Sequence, residues 1–409
     1  MASLSSAADE LEQGRPQNVA IFGLRRIGKS LLCQEQVVRL LNSGGVSPVY
    51  IDMEGISSSP ESFAQRFIGL TCYWVFGKAE GPIDSYLSIN RLLETKAAEN
   101  STVVRAVGSL ARELDRRQPD YSVLLKLAFD FPKQIGQALN QPVMFFLDEF
   151  IELTELINFP GAGDPLNHFR SSMQQQSSTA YVIAGSAITA MEKLVQDHDS
   201  PLFLQFQSLA LRPFTEEDTG LLVEHLFGRL VFSAQSALYT YTFGHPFYVI
   251  SLAERLKQMM PSAESVTKQT VNQAFLLETL SPQGKIYNYC RYLYDVSLQK
   301  ARGYGLLKAE LQILAEEEAL TTTEIARLIR RPPRYPRILT LADRCGSGDQ
   351  KGEKCFFRDP VLRFWIAQST RGIEVSLSLK NRSSRTWWAI FQNAFSAHLR
   401  SWVSPKKVR

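Results

Sequence analysis

A parallel α/β sheet core, followed by a helical unit and then by helices with a hairpin, is the fold class that the sequence predicts. Three observations predict it. Short apolar runs alternate with helical periodicity over residues 1–212. Strand signals stop after Leu211-Arg212-Pro213-Phe214, and the pattern is helical to about Leu280. Residues 281–370 then run in the order helix, helix, short helix, turn, helix and polar hairpin.

The elements of the first part follow from local pattern. Residues 1–17 read as a short frayed helix and linker. Residues 18–22 hold the first strand, with Val19-Ala20-Ile21-Phe22 as its apolar run. A helix with Leu31, Leu32, Val37, Val38, Leu40 and Leu41 at helical spacings runs to about Asn42, and Ser43-Gly44-Gly45 breaks it. Val46 to Met53 is the second strand. Residues 60–140 are mostly helical, with breaks expected at Pro82, Pro119 and Pro132. Val143-Met144-Phe145-Phe146-Leu147 is too short for a helix and right for a strand buried on both faces; Asp148-Glu149 ends it. A Gly/Pro-rich loop over 159–165 leads to a helix around 166–176. Thr179 to Ala184 is the next strand, closed by Gly185-Ser186.

The second part is helical. Thr215-Glu216-Glu217-Asp218 resembles a capping box, with Asp in place of Glu or Gln. Gly244-His245-Pro246 interrupts the helical pattern once, and residues 213–280 form a helical lid. Helices are expected near 282–300 and 305–319. Thr321-Thr322-Thr323 caps a short helix, Glu324 to Arg330, and Arg331-Pro332-Pro333-Arg334 turns. Tyr335 to Cys345 is expected as the next helix and Gly346 to Lys354 as a hairpin wing. That order is a winged helix-turn-helix.

Composition narrows the class. At 409 residues the chain is too long for one core. Its 44% hydrophobic and 21% charged content are those of an ordinary globular protein. A net charge of +4 does not by itself argue for nucleic acid. The charge is uneven, however. From Arg371 on, Arg371, Lys380, Arg382, Arg385, Arg400, Lys406, Lys407 and Arg409 face one acid, Glu374. Within this stretch, Trp388, Phe391, Phe395, Leu399 and Trp402 share one face of an expected helix over 385–403. That face packs on the chain's own core, docks a partner or subunit, or lies on a membrane surface. The five cysteines are scattered and form no C-x-x-C, so free thiols are expected rather than a zinc site. No apolar run is long enough to span a membrane, the N-terminus lacks a signal-peptide pattern, and a cytoplasmic protein is the expectation.

One motif carries chemistry. Gly23-Leu24-Arg25-Arg26-Ile27-Gly28-Lys29-Ser30 fits G-x-x-x-x-G-K-[ST], the phosphate-binding P-loop, and it lies between a strand and a helix as that loop requires. Gly23 and Gly28 let successive backbone N–H groups face a phosphate, and the helix N-terminus points its positive end at the same anion. Gly23, Arg26, Gly28, Lys29, Ser30 and Leu31 are therefore the candidate nucleotide-binding residues of the loop. Lys29 would reach the β- and γ-phosphates, and the Ser30 hydroxyl would ligate Mg2+. Arg25 and Arg26 either add positive field at the phosphates or face a partner. Asp148, at the carboxyl end of a buried strand, would hold Mg2+ through water and complement Ser30. Glu149 would orient and polarise the attacking water. Ser186 is a candidate γ-phosphate sensor, and Arg170 a candidate arginine finger toward a neighbouring subunit or a solvated helix residue.

These pieces resemble a known family. Gly-Leu-Arg-Arg-Ile-Gly-Lys-Ser, Phe-Leu-Asp-Glu-Phe (146–150), Ala-Gly-Ser (184–186), Gly-His-Pro-Phe-Tyr (244–248) and Arg-Asp-Pro-Val-Leu-Arg-Phe-Trp (358–365) are similar, in order, to the prokaryotic and archaeal ATPase_2 family. That family belongs to the STAND-type branch of AAA-like P-loop NTPases. The resemblance spans roughly residues 15–370. It implies a five-stranded ATPase core with a strand inserted between the P-loop and Asp-Glu strands, a helical lid and a winged-helix domain. It also implies that Pro246 lies against the nucleotide with His245 nearby. Two departures stand out. Ala7-Ala8-Asp9-Glu10-Leu11 lacks the family's Phe-x-x-Arg element, and Pro201-Leu202 is followed by Phe203-Leu204-Gln205 instead of Gly-Arg.

Two functions are expected from this reading. The first is a switch in which ATP and Mg2+ bind between core and lid, hydrolysis resets the winged-helix domain, and the movement passes to DNA or a protein partner. Mobile-element, defence and signalling systems use such switches, and a homo-oligomer is expected in the ATP state. The alternative is a winged-helix DNA-binding regulator whose nucleotide site is structural or weakly hydrolytic. Arg331, Arg334 and Arg337 are its candidate contacts to double-stranded DNA phosphates, with Arg330, Lys351 and Lys354 nearby. The same winged helix can instead be an internal clamp, and Pro332, Pro333 and Pro336 crowd its turn. No acceptor site for a metabolic kinase is readable.

Overall fold

The computed structural model describes residues 1–77, 81–299, 304–317, 320–329, 342–345 and 354–369. They divide into two compact units. One is Met1–Phe214 with His245–Phe247; the other is Thr215–Gly244 with the described residues from Tyr248 onward.

The first unit is built on a five-stranded parallel sheet. Its elements are α1 (Ala2–Glu12), β1 (Val19–Phe22), α2 (Lys29–Ser43), β2 (Ser47–Asp52), α3 (Pro60–Val75), α4 (Ile89–Leu92), α5 (Ser101–Leu114), α6 (Tyr121–Leu139), β3 (Val143–Asp148), α7 (Pro165–Met173), β4 (Thr179–Gly185), α8 (Ile188–Gln196) and β5 (Gln207–Ala210). The strand order is β2-β3-β4-β1-β5, every pair parallel, with β4 inserted between β1 and β3. From β1 the chain crosses to β2 on one side, while β5 adds to β1 on the other. The carboxyl ends of β1, β3 and β4 therefore border the switch point where ligands of open α/β sheets bind. This order, with the P-loop after β1, is the P-loop NTPase fold.

Alternation along β3 sorts the core into two layers. Phe145 and Leu147 face a layer with Phe63, Phe67, Phe129 and Phe169, in which the Phe67 and Phe145 rings stack 5.8 Å apart. Met144 and Phe146 face the other layer, with Leu4, Ala7, Ala8 and Leu11 of α1 and Val37 and Leu40 of α2. The short helix and linker expected over 1–17 are present, but the helix is docked and not frayed. Four small or apolar residues spaced 4-7-8-11 make one stripe of α1, and all four are buried on the sheet. Pro132 likewise does not break its helix. It lies inside α6, where Phe129, Phe131 and Ile135 around it are buried and that packing offsets the missing N–H, and Asn140 in the left-handed region ends the helix.

The second unit holds α9 (Glu216–Leu226), α10 (Phe232–Thr242), α11 (Pro246–Met259, its first two residues counted with the first unit), α12 (Lys268–Leu280), α13 (Lys285–Gln299), α14 (Tyr304–Glu316), β6 (Leu320–Thr321), α15 (Thr322–Leu328), β7 (Ala342–Cys345), β8 (Lys354–Phe357) and α16 (Pro360–Ser369). The capping box is present at Thr215 and Asp218. The three short strands form an antiparallel sheet, β6-β8-β7. Ala342–Cys345 is thus a strand and not the end of the expected helix, because it pairs with Lys354–Phe357 across the hairpin. The rest of that expected helix, residues 346–353 of the wing expected over 346–354 (Lys354 opens β8), and Arg331, Arg334 and Arg337 lie outside the described residues. So does the stretch from residue 370 on.

The core of this unit gathers around α16. Phe364 meets Phe275 at 5.7 Å, and Trp365 lies between Tyr287 and Tyr294 at 5.6 and 5.8 Å. The Asp359 carboxylate caps α16, accepting from the N–H groups of Val361 (3.0 Å) and Leu362 (3.1 Å) and from the Tyr248 hydroxyl. The four cysteines whose side chains are described are free and buried. No helix among the described residues is long and apolar enough to cross a membrane.

Candidate nucleotide-binding site

The loop after β1 needs its glycines for different reasons. A Cβ on Gly23 would lie 2.8 Å from the Leu211 carbonyl oxygen, so only a hydrogen fits there. Gly28 caps α2 at φ 108°, in the left-handed region. Arg26 shares that region at φ 62°. Lys29 opens the helix, and its Nζ donates to the carbonyls of Gly23 and Leu24, both at 3.0 Å. With 5% exposure, its ammonium is held inside the curl of the loop. Burial pulls Lys29 below the ordinary lysine value, while Glu149 and Asp148 oppose that shift. Ser30 and Leu31, on the first turn of α2, are exposed.

The two acids at the end of β3 splay toward opposite neighbours. Asp148 is 5% exposed and turns toward β2, where its Oδ2 accepts the Tyr50 hydroxyl at 2.7 Å. Its Oδ1 accepts the backbone N–H of Glu149 at 3.0 Å. Glu149 turns toward β4, and both of its carboxylate oxygens lie within reach of the Ser186 hydroxyl, at 2.9 and 3.0 Å. The splay needs a reversal of the backbone, and Glu149 supplies it at φ 46° and ψ 45°. A left-handed non-glycine residue costs about 1–2 kcal/mol, a strain of the kind found at functional sites. Asp52 ends β2 in register with Asp148. Burial, with Asp148, Glu54 and Glu149 nearby, holds its carboxyl above the ordinary value against a hydrogen bond from the Glu54 N–H. Burial beside Asp148 likewise pushes the Cys33 thiol up to about 12.

Residues 245–247 complete the surroundings of the loop within the first unit. The His245 Nε2 lies 3.1 Å from the Arg25 carbonyl oxygen, and the ring is buried. The Arg26 guanidinium lies over the Phe247 ring, 4.5 Å from its centroid. Pro246 sits between them as the first residue of α11.

The structure thus brings Gly23, Arg26, Gly28, Lys29, Asp148, Glu149, Ser186, His245 and Pro246 to one end of the sheet, with Ser30 and Leu31 on the adjoining helix turn. Arg170 is exposed on α7. Three neighbours of the site were not legible in the sequence. Tyr50 and Asp52 sit in an apolar run that reads only as a strand, and Phe247 follows a motif read for its proline. The donor set suits a phosphate with a hard cation: backbone N–H groups at a helix start, one lysine, one hydroxyl and carboxylates.

The first of the following likenesses to solved structures agrees with this fold. A Walker-type ATPase of Pyrococcus abyssi matches at a TM-score of 0.55 and 12% identity, covering 89% of this chain and 93% of that one. The ORC2 protein of Aeropyrum pernix, in its ADPNP–ADP complexes, gives 0.49 at 13% identity, over 91% and 93%. A STAND protein with a tetratricopeptide repeat sensor from Pyrococcus horikoshii gives 0.33 at 15% identity, with 45% of its chain covered. No family model and no curated protein sequence matches the chain. At this identity the first likeness speaks for the fold alone.

Proposed function

We propose that the chain is an ATP-binding and hydrolysing switch. The observation that carries this reading is the splayed acid pair at the end of β3, set across from a P-loop whose lysine lies in the field of both acids. Gly23, Gly28 and the N–H groups at the start of α2 cradle the phosphates, with Arg26 and Leu31 at the rim. Lys29 exchanges its bonds to the Gly23 and Leu24 carbonyls for phosphate oxygens. Ser30 and Asp148 are the residues that would hold Mg2+, which when bound neutralises charge between the β- and γ-phosphates. Glu149 orients the attacking water and draws its proton. Its carboxylate is engaged by Ser186, so this arrangement withholds the base until Ser186 turns to the γ-phosphate. His245 and Pro246 report the state of the loop to the helix that they begin.

The described helices α14 and α15 with the β6-β8-β7 sheet support a winged-helix reading of the second unit. We propose that its output is DNA or a protein partner, with a homo-oligomer forming in the ATP state. The basic set Arg331, Arg334 and Arg337 carries the DNA part of this proposal from sequence alone.

The test is a pair of variants followed by nucleotide binding and phosphate release. Glu149→Gln is expected to keep ATP binding and to lose turnover by at least about a hundredfold. Lys29→Ala is expected to lose binding. A wild-type chain that neither binds nor turns over ATP ends the proposal.

A further inference from the structure

We infer that Tyr50 is the positioning residue for Asp148 and sets how tightly the site takes Mg2+. The inference rests on the ATP–Mg2+ reading above.

The register makes the contact specific. Tyr50 pairs with Phe146 across β2 and β3, and Asp52 pairs with Asp148. Tyr50 thus stands two residues behind Asp148 and on the same face of the sheet. Two residues along a strand span about 6.6 Å, close to the length of a phenol side chain. The ring packs among the residues of the α2 layer, and the hydroxyl arrives at Asp148 Oδ2 at 2.7 Å. A shorter residue at position 50 would leave that oxygen to solvent.

The consequence lies in what Asp148 has left. One oxygen is engaged by Tyr50 and the other by the Glu149 N–H. Each oxygen keeps a second lone pair. Two donors from different directions fix the plane of the carboxylate, so those lone pairs point one way before any ligand arrives. Residues that orient a ligating group in this manner control metal affinity, typically by tenfold or more. Lys29 and the P-loop hold the phosphates without help from Tyr50, so the effect belongs to the cation and not to the nucleotide.

The experiment titrates a fluorescent ATP analogue against the full chain, in EDTA and over a Mg2+ series, for wild type, Tyr50→Phe, Asp148→Asn and the double variant. Tyr50→Phe is expected to raise the half-saturating Mg2+ concentration about tenfold and to leave the affinity in EDTA within about twofold. In the Asp148→Asn background it is expected to add nothing. Tyr50→Met carries the same expectations, should the phenylalanine variant not fold. If Asp148→Asn shifts the Mg2+ dependence and Tyr50→Phe does not, the role assigned to Tyr50 is wrong and the ATP reading stands. An equal loss of affinity in EDTA makes Tyr50 merely structural and also overturns the inference. Wild-type binding that ignores Mg2+, or is absent, removes the ATP–Mg2+ reading itself.

Discussion

Asp148 in the first unit and Asp359 in the second are built alike, each with a tyrosine hydroxyl on one oxygen and backbone N–H on the other. They differ in what surrounds them. Tyr248 is 1% exposed, and Asp359 spends its oxygens on Tyr248 and on two N–H groups that α16 would otherwise leave unpaired. Tyr50 is only half-buried, and Asp148 takes one N–H and lies in the field of the Lys29 ammonium. The same pair of side chains thus closes a helix in one place and leaves lone pairs uncommitted beside the P-loop in the other. A Tyr–Asp hydrogen bond says nothing about function until the remaining lone pairs are accounted for.

Three measurements sharpen or break that contrast. The largest effect is expected from the aspartates. Asp359→Ala leaves two helix N–H groups without their acceptor and removes the carboxylate that takes the buried Tyr248 hydroxyl, and it is expected to cost about 2–4 kcal/mol in urea unfolding of the full chain. Asp148→Ala is expected to cost about 1 kcal/mol, since water can reach Tyr50. Equal losses would erase the distinction.

The second measurement is pH dependence. Burial holds the Tyr248 phenol well above its ordinary value of 10, with Asp359 adding to the shift, and the neighbouring Cys290 thiol is raised in the same way. In the unfolded chain both groups release protons first, so stability falls as pH rises above their ordinary values. Each group adds a slope of about 1.4 kcal/mol per pH unit at most. Tyr248→Phe is expected to remove its part of the slope above pH 10, seen as a flatter plot of unfolding free energy. An unchanged slope would mean that Tyr248 titrates like a solvated phenol.

The smallest effect is expected at neutral pH from the tyrosines themselves. Tyr248→Phe is expected to lower stability by about 1–2 kcal/mol, and Tyr50→Phe by about half as much or less. A larger loss at Tyr50 would place it with the structural pair.

Much of this site was legible in the sequence because it is local. Gly23 to Ser30 are contiguous, and strands β1, β3 and β4 announce themselves as apolar runs that are buried in the structure, with β2 buried in part. Asp148-Glu149 follows such a run directly. What escaped depends on distant partners. The Tyr50 hydroxyl meets an acid 98 positions away. Strand β5 is mostly exposed at the sheet edge, so it carries no apolar run, and it was implied only by the family resemblance. Ala342–Cys345 continues a helical pattern in the sequence, because its hairpin partner lies beyond the reach of local periodicity. The Ala-rich α1 carries a weak signal since its two buried alanines, Ala7 and Ala8, offer little apolar area, yet their small size lets the helix pack flat on the sheet.

The close approach of Gly23 to Leu211 bears on how variants of the loop should be interpreted. Leu211 follows β5 directly, and its N–H bonds to the Phe22 carbonyl at 2.8 Å. A methyl group at position 23 would press on the Leu211 carbonyl, 2.8 Å from where that methyl would stand, and so would push on the chain leaving β5, at one edge of the sheet. Lost nucleotide binding in Gly23→Ala would therefore mix a disturbed sheet edge with a disturbed loop, whereas the same loss in Lys29→Ala would diagnose a missing charge.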